Sequence, residues 1–177
     1  GHFIPPDAFS NSPIWTNIFE SADEINTKIK LLPEGSRIVY TYGAWDIFHP
    51  GHVNLLIRAR NLGDFLIVGV VSDSPIRELK GETRPIQSAE DRLIIVGGLR
   101  CVDAAIIQPL YNPSEILRKL VKVDILTKGD DWDYIPGQEA IEEVGGSLVK
   151  LGYSHGFSTT SIVSKISGKQ VEKRKEF

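Results

Sequence analysis

Sulfur is scarce in this chain: one cysteine, Cys101, and no methionine among 177 residues. No internal disulfide can form, and no thiolate cluster can hold a metal. A reducing, cytoplasmic setting is the expectation. An excess of positive charge is missing as well, since 20 Lys and Arg against 23 Asp and Glu leave a net charge of −3. Gripping duplex DNA or an anionic bilayer needs clustered Lys and Arg, so neither nucleic acid nor membrane is an expected partner. The longest apolar stretches, such as Phe65–Val71, fall far short of the roughly 18 residues of a membrane-crossing helix. The first residues do not read as a basic-then-apolar leader. Gly1-His2 and the lack of methionine read as a processed piece with a tag remnant, which leaves room for a longer multidomain chain. What is present is a globular composition, 41% hydrophobic and 24% charged. It excludes disorder throughout and lets one domain build a core.

Breaker clusters at Pro5-Pro6, Ser10-Asn11-Ser12-Pro13 and Pro33-Glu34-Gly35-Ser36 set off an N-terminal arm, residues 1–36. Within it Ile18, Phe19, Ile25, Ile29 and Leu32 recur at near-helical spacing, which predicts one amphipathic helix over 17–32. From Arg37 the pattern alternates. Strands are predicted at 37–42, 65–71, 104–107, 123–127 and 147–150, and helices at 53–62, 74–79, 88–99, 113–121, 137–144 and 159–166. Ser88 is the expected N-cap of its helix, with Asp91 behind it, and Pro113 the expected first residue of another. Residues 169–177 form a charged tail. Strand alternating with helix implies parallel strands joined by right-handed crossovers. The fold class is therefore α/β, a single doubly wound, Rossmann-like domain over 37–168. Ligands of such folds sit beyond the carboxyl ends of the strands, at the switch point.

The segment Thr41-Tyr42-Gly43-Ala44-Trp45-Asp46-Ile47-Phe48-His49-Pro50-Gly51-His52 runs from the end of the first main strand into a helix. Gly43 allows a close turn. His49 and His52, two of four histidines in the chain, flank Pro50-Gly51 where free N–H groups and the helix dipole favour a phosphate. Imidazoles placed there can donate to phosphoryl oxygens as charge builds in an in-line displacement. Either histidine alone reads more plainly as a cap or a buried polar group; the pair favours phosphate. Zinc ranks below it, because no third ligand set rich in carboxylate or cysteine accompanies them.

His49-Pro50-Gly51-His52 resembles the H-x-G-H signature of a nucleotidyltransferase superfamily, and within it the cytidylyltransferase-like group. Gly156-Phe157-Ser158-Thr159-Thr160 resembles the S-T-T that precedes the last helix of that family. The likeness runs from Ile38 to about Ser167. It implies a transferase that moves a nucleotidyl group from a nucleoside triphosphate to a phosphorylated acceptor and releases pyrophosphate. By this resemblance His49 and His52 hold triphosphate oxygens and stabilise the pentacoordinate transition state. Ser158, Thr159 and Thr160 hold the β and γ phosphates, and Tyr42, Gly43, Ala44 and Gly51 border the nucleotide. The acceptor phosphate attacks directly, with Mg²⁺ on the triphosphate and no side chain of the protein as metal ligand.

Further residues follow from the same resemblance. Lys80, in Leu79-Lys80-Gly81, matches a loop whose lysine approaches phosphates, with Arg84 on the same stretch; a solvated loop lysine is the alternative. Arg92 faces substrate phosphate or pairs with a neighbouring acid. Arg100, in Arg100-Cys101-Val102-Asp103, resembles the R-x-V-D of cytidylyltransferases, implying a catalytic arginine and a structural Asp103. Asp46 orders its turn or meets the substrate, and Asp73 caps the following helix. Gly129-Asp130-Asp131-Trp132 resembles the G-D-D-W of glycerol-phosphate cytidylyltransferases, which implies Asp130 at nucleotide or acceptor and Trp132 at the substrate. Two features depart from that pattern: Ala44 stands for the usual threonine, and no arginine occurs in Tyr153-Ser154-His155-Gly156-Phe157. Leu79–Pro85 and Gly145-Gly146 instead resemble the adenylyltransferase domain of heptose-phosphate enzymes. Arg100 and the 129–132 segment favour CTP because they lie at strand ends. The leading expectation is CMP transfer from CTP to a small phosphorylated or phosphonate alcohol. ATP with a sugar phosphate is the alternative, and a non-catalytic nucleotide-binding module the second. Family analogy implies a homodimer, with Trp15, Ile18 and Phe19 of the arm available to cover its interface.

Overall fold

Phe65-Leu66-Ile67-Val68-Gly69-Val70-Val71 carries no polar side chain and is buried at every position, as a central parallel strand covered on both faces must be. Around it a computed structural model describes residues 17–129, 133–152 and 159–167. The strands are β1 (Ile18–Phe19), β2 (Ile38–Gly43), β3 (Phe65–Val71), β4 (Ala104–Gln108), β5 (Ile125–Gly129) and β6 (Ser147–Leu151). The helices are α1 (Ala22–Ile29), α2 (Pro50–Arg60), α3 (Asp73–Lys80), α4 (Ala89–Gly97), α5 (Ser114–Lys119), α6 (Gln138–Glu143) and α7 (Thr159–Ser167). All strands pair parallel in one six-stranded sheet of order β1-β4-β3-β2-β5-β6.

Alternation along β2 divides the core in two. Ile38, Tyr40 and Tyr42 join Ile25, Ile116 and Ile141 beneath α1, α5 and α6. Val39 joins Leu56, Ala59 and Val96 beneath α2 and α4. β2 pairs with β3 on one side and β5 on the other, with Thr41 opposite both Val68 and Thr127. Chain connections diverge between β2 and β5, so this is the switch point, and α2 starts directly above it. Among the described residues no helix is long and apolar enough to cross a membrane.

The doubly wound α/β class agrees with the sequence pattern, and β3 spans its predicted residues. The arm differs. Over 17–32 the chain forms β1 and then α1, because Ser21 ends the extended stretch: its hydroxyl accepts the Glu24 N–H at 3.3 Å and caps α1. Ile18 pairs with Ala105 and Phe19 with Ile106, so part of the arm is the sheet's edge strand. Gly97 makes room for it; a Cβ there would stand 2.5 Å from Ile18 Cγ1. Ser88 caps α4 as predicted, accepting from the Asp91 N–H at 3.1 Å. Pro113 is the N-cap residue of α5 and not its first helical residue. Ser72, not Asp73, is the N-cap residue of α3. β5 lies two residues later at both ends than the predicted 123–127 and so includes Lys128 and Gly129.

Candidate active site

Chain connectivity alone delivers the two histidines to the carboxyl end of β2. His49 is the N-cap residue of α2, and its Nδ1 accepts the Gly51 N–H at 3.1 Å. That bond sets the tautomer: with Nδ1 accepting, the neutral ring carries its proton on Nε2. His52 stacks on His49 with centroids 3.8 Å apart and planes 20° from parallel. Trp45 meets His52 edge-on at 5.5 Å, and Phe48 lies 5.1 Å away. The Nδ1 of His52 is buried with no hydrogen-bond partner. Burial above all, then the charges of His49 and Lys80, push His52 down to about 3, against a weaker pull from Asp46. Burial lowers His49 too. Near pH 7 both rings are neutral, so they can offer N–H donors to an anion without repelling each other.

Between β2 and α2 the backbone is left-handed at Trp45 (φ 56°) and Ile47 (φ 46°). Each such non-glycine residue costs about 1–2 kcal/mol, and named bonds hold both in place. The indole N–H of Trp45 donates to Gly69 O at 3.0 Å, and the Ile47 N–H donates to Gln87 Oε1 at 3.0 Å. The indole also packs against Gly43, where a Cβ would come within 3.1 Å of it.

Asp46, 5% exposed, is a hub. Its carboxylate accepts the N–H groups of Ile86 and Gln87 at 3.0 Å and pairs with Arg84 at 3.0 Å. Its backbone carbonyl accepts the Thr159 hydroxyl at 2.9 Å, which ties the start of α7 to the loop before α2. Arg92 has no exposed surface. It donates to Gln87 O, Ala44 O and Val71 O and pairs with Asp73 at 2.6 Å. Of the two roles weighed for each from sequence, these contacts fit Asp46 ordering its turn and Arg92 pairing with an acid.

The other expected residues divide. Lys80 ends α3, and its charge reaches His52. The Gly51 N–H is taken by His49, and Ala44 contributes its carbonyl to Arg92. Tyr42 is buried, and its hydroxyl donates to Pro136 O at 2.8 Å. Burial and the neighbouring Tyr111, Tyr40 and Tyr134 raise it well above the usual phenol range. Arg100 is a correction: it is exposed on the turn that enters the amino end of β4, the edge of the sheet away from His49 and His52. Within one chain it does not join them. Asp103 beside it is structural, accepting the Leu66 N–H at 2.8 Å and pairing with Arg60 at 2.8 Å. Asp130, Trp132 and Ser158 lie outside the described residues, and of Thr160 only the helical backbone is described.

Sequence reasoning missed Gln87 and Lys128. Gln87 gave no signal, being one polar residue ahead of an N-cap. Lys128 gave one: a lone cation closing the run Ile125-Leu126-Thr127. No group of three or more His, Cys, Asp and Glu stands ready for a metal among the described residues. A concavity of about 440 Å³ opens beside His49 on the outer side of α2, lined by Phe48, Pro50, Val53, Asn54 and Ile57.

Comparison with known proteins identifies relatives and a family. The family model described as Cytidylyltransferase-like matches residues 40–174. A protein named "Bifunctional protein HldE" from Wolinella succinogenes is 43% identical over 138 residues, covering 76% of this chain and 28% of that protein. Its namesake from Pseudomonas syringae pv. syringae is 45% identical over 134 residues, 75% of this chain and 28% of that one. The chain thus spans 28% of the length of these curated relatives. Among solved structures, the lipopolysaccharide core biosynthesis protein from Thermoplasma volcanium GSS1 has a TM-score of 0.58 at 31% identity, covering 70% of this chain and 100% of its own. A pantoate-beta-alanine ligase from Francisella tularensis, 13% identical, shares the fold, with a TM-score of 0.57 over 86% of this chain and 77% of its own. A match that begins inside β2, ahead of the histidines, and runs past α7 takes in every element of the site, and the chain belongs to the cytidylyltransferase-like family.

Proposed function

We propose that this domain is a nucleotidyltransferase that adenylylates a sugar phosphate with ATP and releases pyrophosphate. The observation that carries the chemistry is the neutral, stacked His49–His52 pair above the switch point, fastened through Asp46 to the hydroxyl-bearing start of α7. An oxygen of the acceptor phosphate attacks the α-phosphorus as the bond to the bridging α–β oxygen breaks, and pyrophosphate leaves with that electron pair. The Nε2–H of His49 and the facing N–H of His52 donate to oxygens that gain charge on the way. With fixed donors on the leaving side, catalysis is positioning and charge stabilisation, and no nucleophile of the protein is required. A Mg²⁺ ion fits as a passenger of the triphosphate, neutralising its charge through phosphate oxygens.

ATP is favoured by the likeness of Leu79–Pro85 and Gly145-Gly146 to heptose-phosphate adenylyltransferase domains, and by the HldE relatives. The CTP expectation gives way. It leaned on Arg100, which enters β4 at the far edge of the sheet, and on a segment that lies mostly outside the described residues. The word "bifunctional" in the relatives' name, and their greater length, support a second domain beside this one in a longer chain.

The test is pyrophosphate release with each of the four triphosphates against a panel of sugar phosphates and polyol phosphates. Turnover with ATP and a sugar phosphate is the expected result. Turnover with CTP alone restores the cytidylyl reading, and tight ATP binding with no turnover indicates a binding module. Removing either imidazole as His49→Ala or His52→Ala is expected to lower kcat by about 10²–10³; undiminished release takes the pair out of the chemistry.

A further inference from the structure

Lys128 is 7% exposed and has no part in the reaction as derived so far. It is the penultimate residue of β5, and the pairing of Thr127 with Thr41 sets it beside Tyr42 at the end of β2. Its Nζ stands 3.9 Å above the Tyr42 ring and 5.4 Å from the Tyr111 ring, and donates to Tyr42 O at 3.2 Å. The ammonium is thereby held at the carboxyl end of β2, one residue before Gly43. It lies on the Tyr42 face of the sheet, whereas Trp45 packs with the core of the other face and His52 packs on Trp45.

Two facts set this lysine apart from an ordinary core residue. Removing an ammonium from water is costly, and a methionine would fill much the same space over Tyr42. In the sheet register Lys128 also pairs with Lys150 of β6, so two like charges project side by side from adjacent strands, an arrangement unfavourable by itself. Lys150 is exposed at the rim, and its Nζ donates to Asp133 O at 3.3 Å. Paired cations at the carboxyl edge of a parallel sheet, beside its switch point, suit a dianion.

We infer that Lys128, with Lys150 at the rim, receives the phosphate of the acceptor substrate. This rests on the nucleotidyl-transfer reading and gives it a direction. In-line displacement requires the attacking oxygen to enter opposite the leaving pyrophosphate. On that reading the histidines and the start of α7 grip the leaving side, and Lys128 lies on the face of the sheet opposite the Trp45 that packs on His52. Lys128 is on this account an acceptor-binding residue that favours phosphorylated over neutral alcohols.

The experiment titrates inorganic phosphate, by calorimetry, into the full chain saturated with α,β-methylene-ATP, so that no turnover is needed. Lys128→Met is expected to weaken phosphate at least about tenfold, the scale of one lost charge-assisted hydrogen bond, while analogue affinity holds. Lys128→Arg is expected to retain most of the phosphate affinity. In turnover, the KM for the acceptor rises and the KM for ATP does not. Phosphate that fails to bind the wild-type complex, or binds the methionine variant equally well, overturns the inference. So does a parallel loss of analogue affinity, which marks a structural role. If Lys128→Met does not fold, Lys150→Met on the exposed rim takes its place, and unchanged phosphate affinity there is equally fatal. Absence of pyrophosphate release with every triphosphate would instead sink the proposed function, and the binding titration would still decide Lys128.

Discussion

At the scale of single residues, the histidines combine what a sequence displays with what it conceals. H-P-G-H at a strand-to-helix junction announces a capped helix start, and the Nδ1–Gly51 bond follows from it. Their neutrality does not. It comes from burial against Trp45 and Phe48, and Trp45 reaches that position only because its backbone is left-handed, which no residue pattern reveals. The consequence for stability has a definite sign. His52 titrates near 3 in the folded protein against an ordinary 6.5. Between those values the unfolded chain holds a proton that the native chain does not. Stability is therefore full above pH 6.5 and declines as pH falls toward 3, by at most about 1.4 kcal/mol per pH unit. Urea melts from pH 7 to pH 5 are expected to show this decline, flattened in His52→Asn. Equal slopes in the two proteins would mean that the ring is solvated.

At the scale of elements, the segment from Arg84 to Gln87 is held from two sides, by the loop before α2 and by α4. Asp46 binds two of its N–H groups and one guanidinium, and Arg92 holds Gln87 from behind. Replacing the carboxylate as Asp46→Ala is expected to speed hydrogen exchange at Ile86 and Gln87 while the amides of β3 keep their protection. Uniform loss of protection would show global destabilisation instead. Arg92→Met leaves the partly exposed Asp73 and three carbonyls without this donor; an unmet buried polar group costs about 1–3 kcal/mol, readable from denaturant midpoints. Most helix and strand positions were legible because apolar periodicity governs them. The exceptions have local causes. Ser21-Ala22-Asp23-Glu24 is a capping signal that starts α1, yet the apolar Ile18 and Phe19 ahead of it extend the helical period and mask the strand. Ending the predicted 123–127 strand at Thr127 leaves Lys128 outside any element, and with it the face it shares with Tyr42.

Across the whole molecule, alternation of strand and helix made the doubly wound parallel sheet legible in the sequence, while the strand order that puts the switch point between β2 and β5 was not. Nor was the edge. A two-residue strand carries almost no periodic signal, and β1 is recognisable only once β4 offers it hydrogen-bonding partners. The expectation of CTP leaned in part on a residue at the other end of its strand. A parallel sheet has two unlike edges, and a residue that precedes its strand, as Arg100 precedes β4, sits at the edge without the ligand. Gly97→Val tests the role of β1. The new side chain collides with Ile18, overpacking of this kind costs about 1–3 kcal/mol, and a displaced β1 bares the edge of β4. A lower Tm together with concentration-dependent association in light scattering is expected. A monomeric variant with unchanged Tm would show that β1 adds nothing.

The carbonyl of Asp46 links the loop before the histidine helix to α7 through the Thr159 hydroxyl. A crevice braced by such a crosspiece works like a jig, its spacing set before any substrate arrives. On the proposed function, a nucleotide held between the two helix starts would have little left to rearrange, and discrimination would fall to the side open to a second molecule.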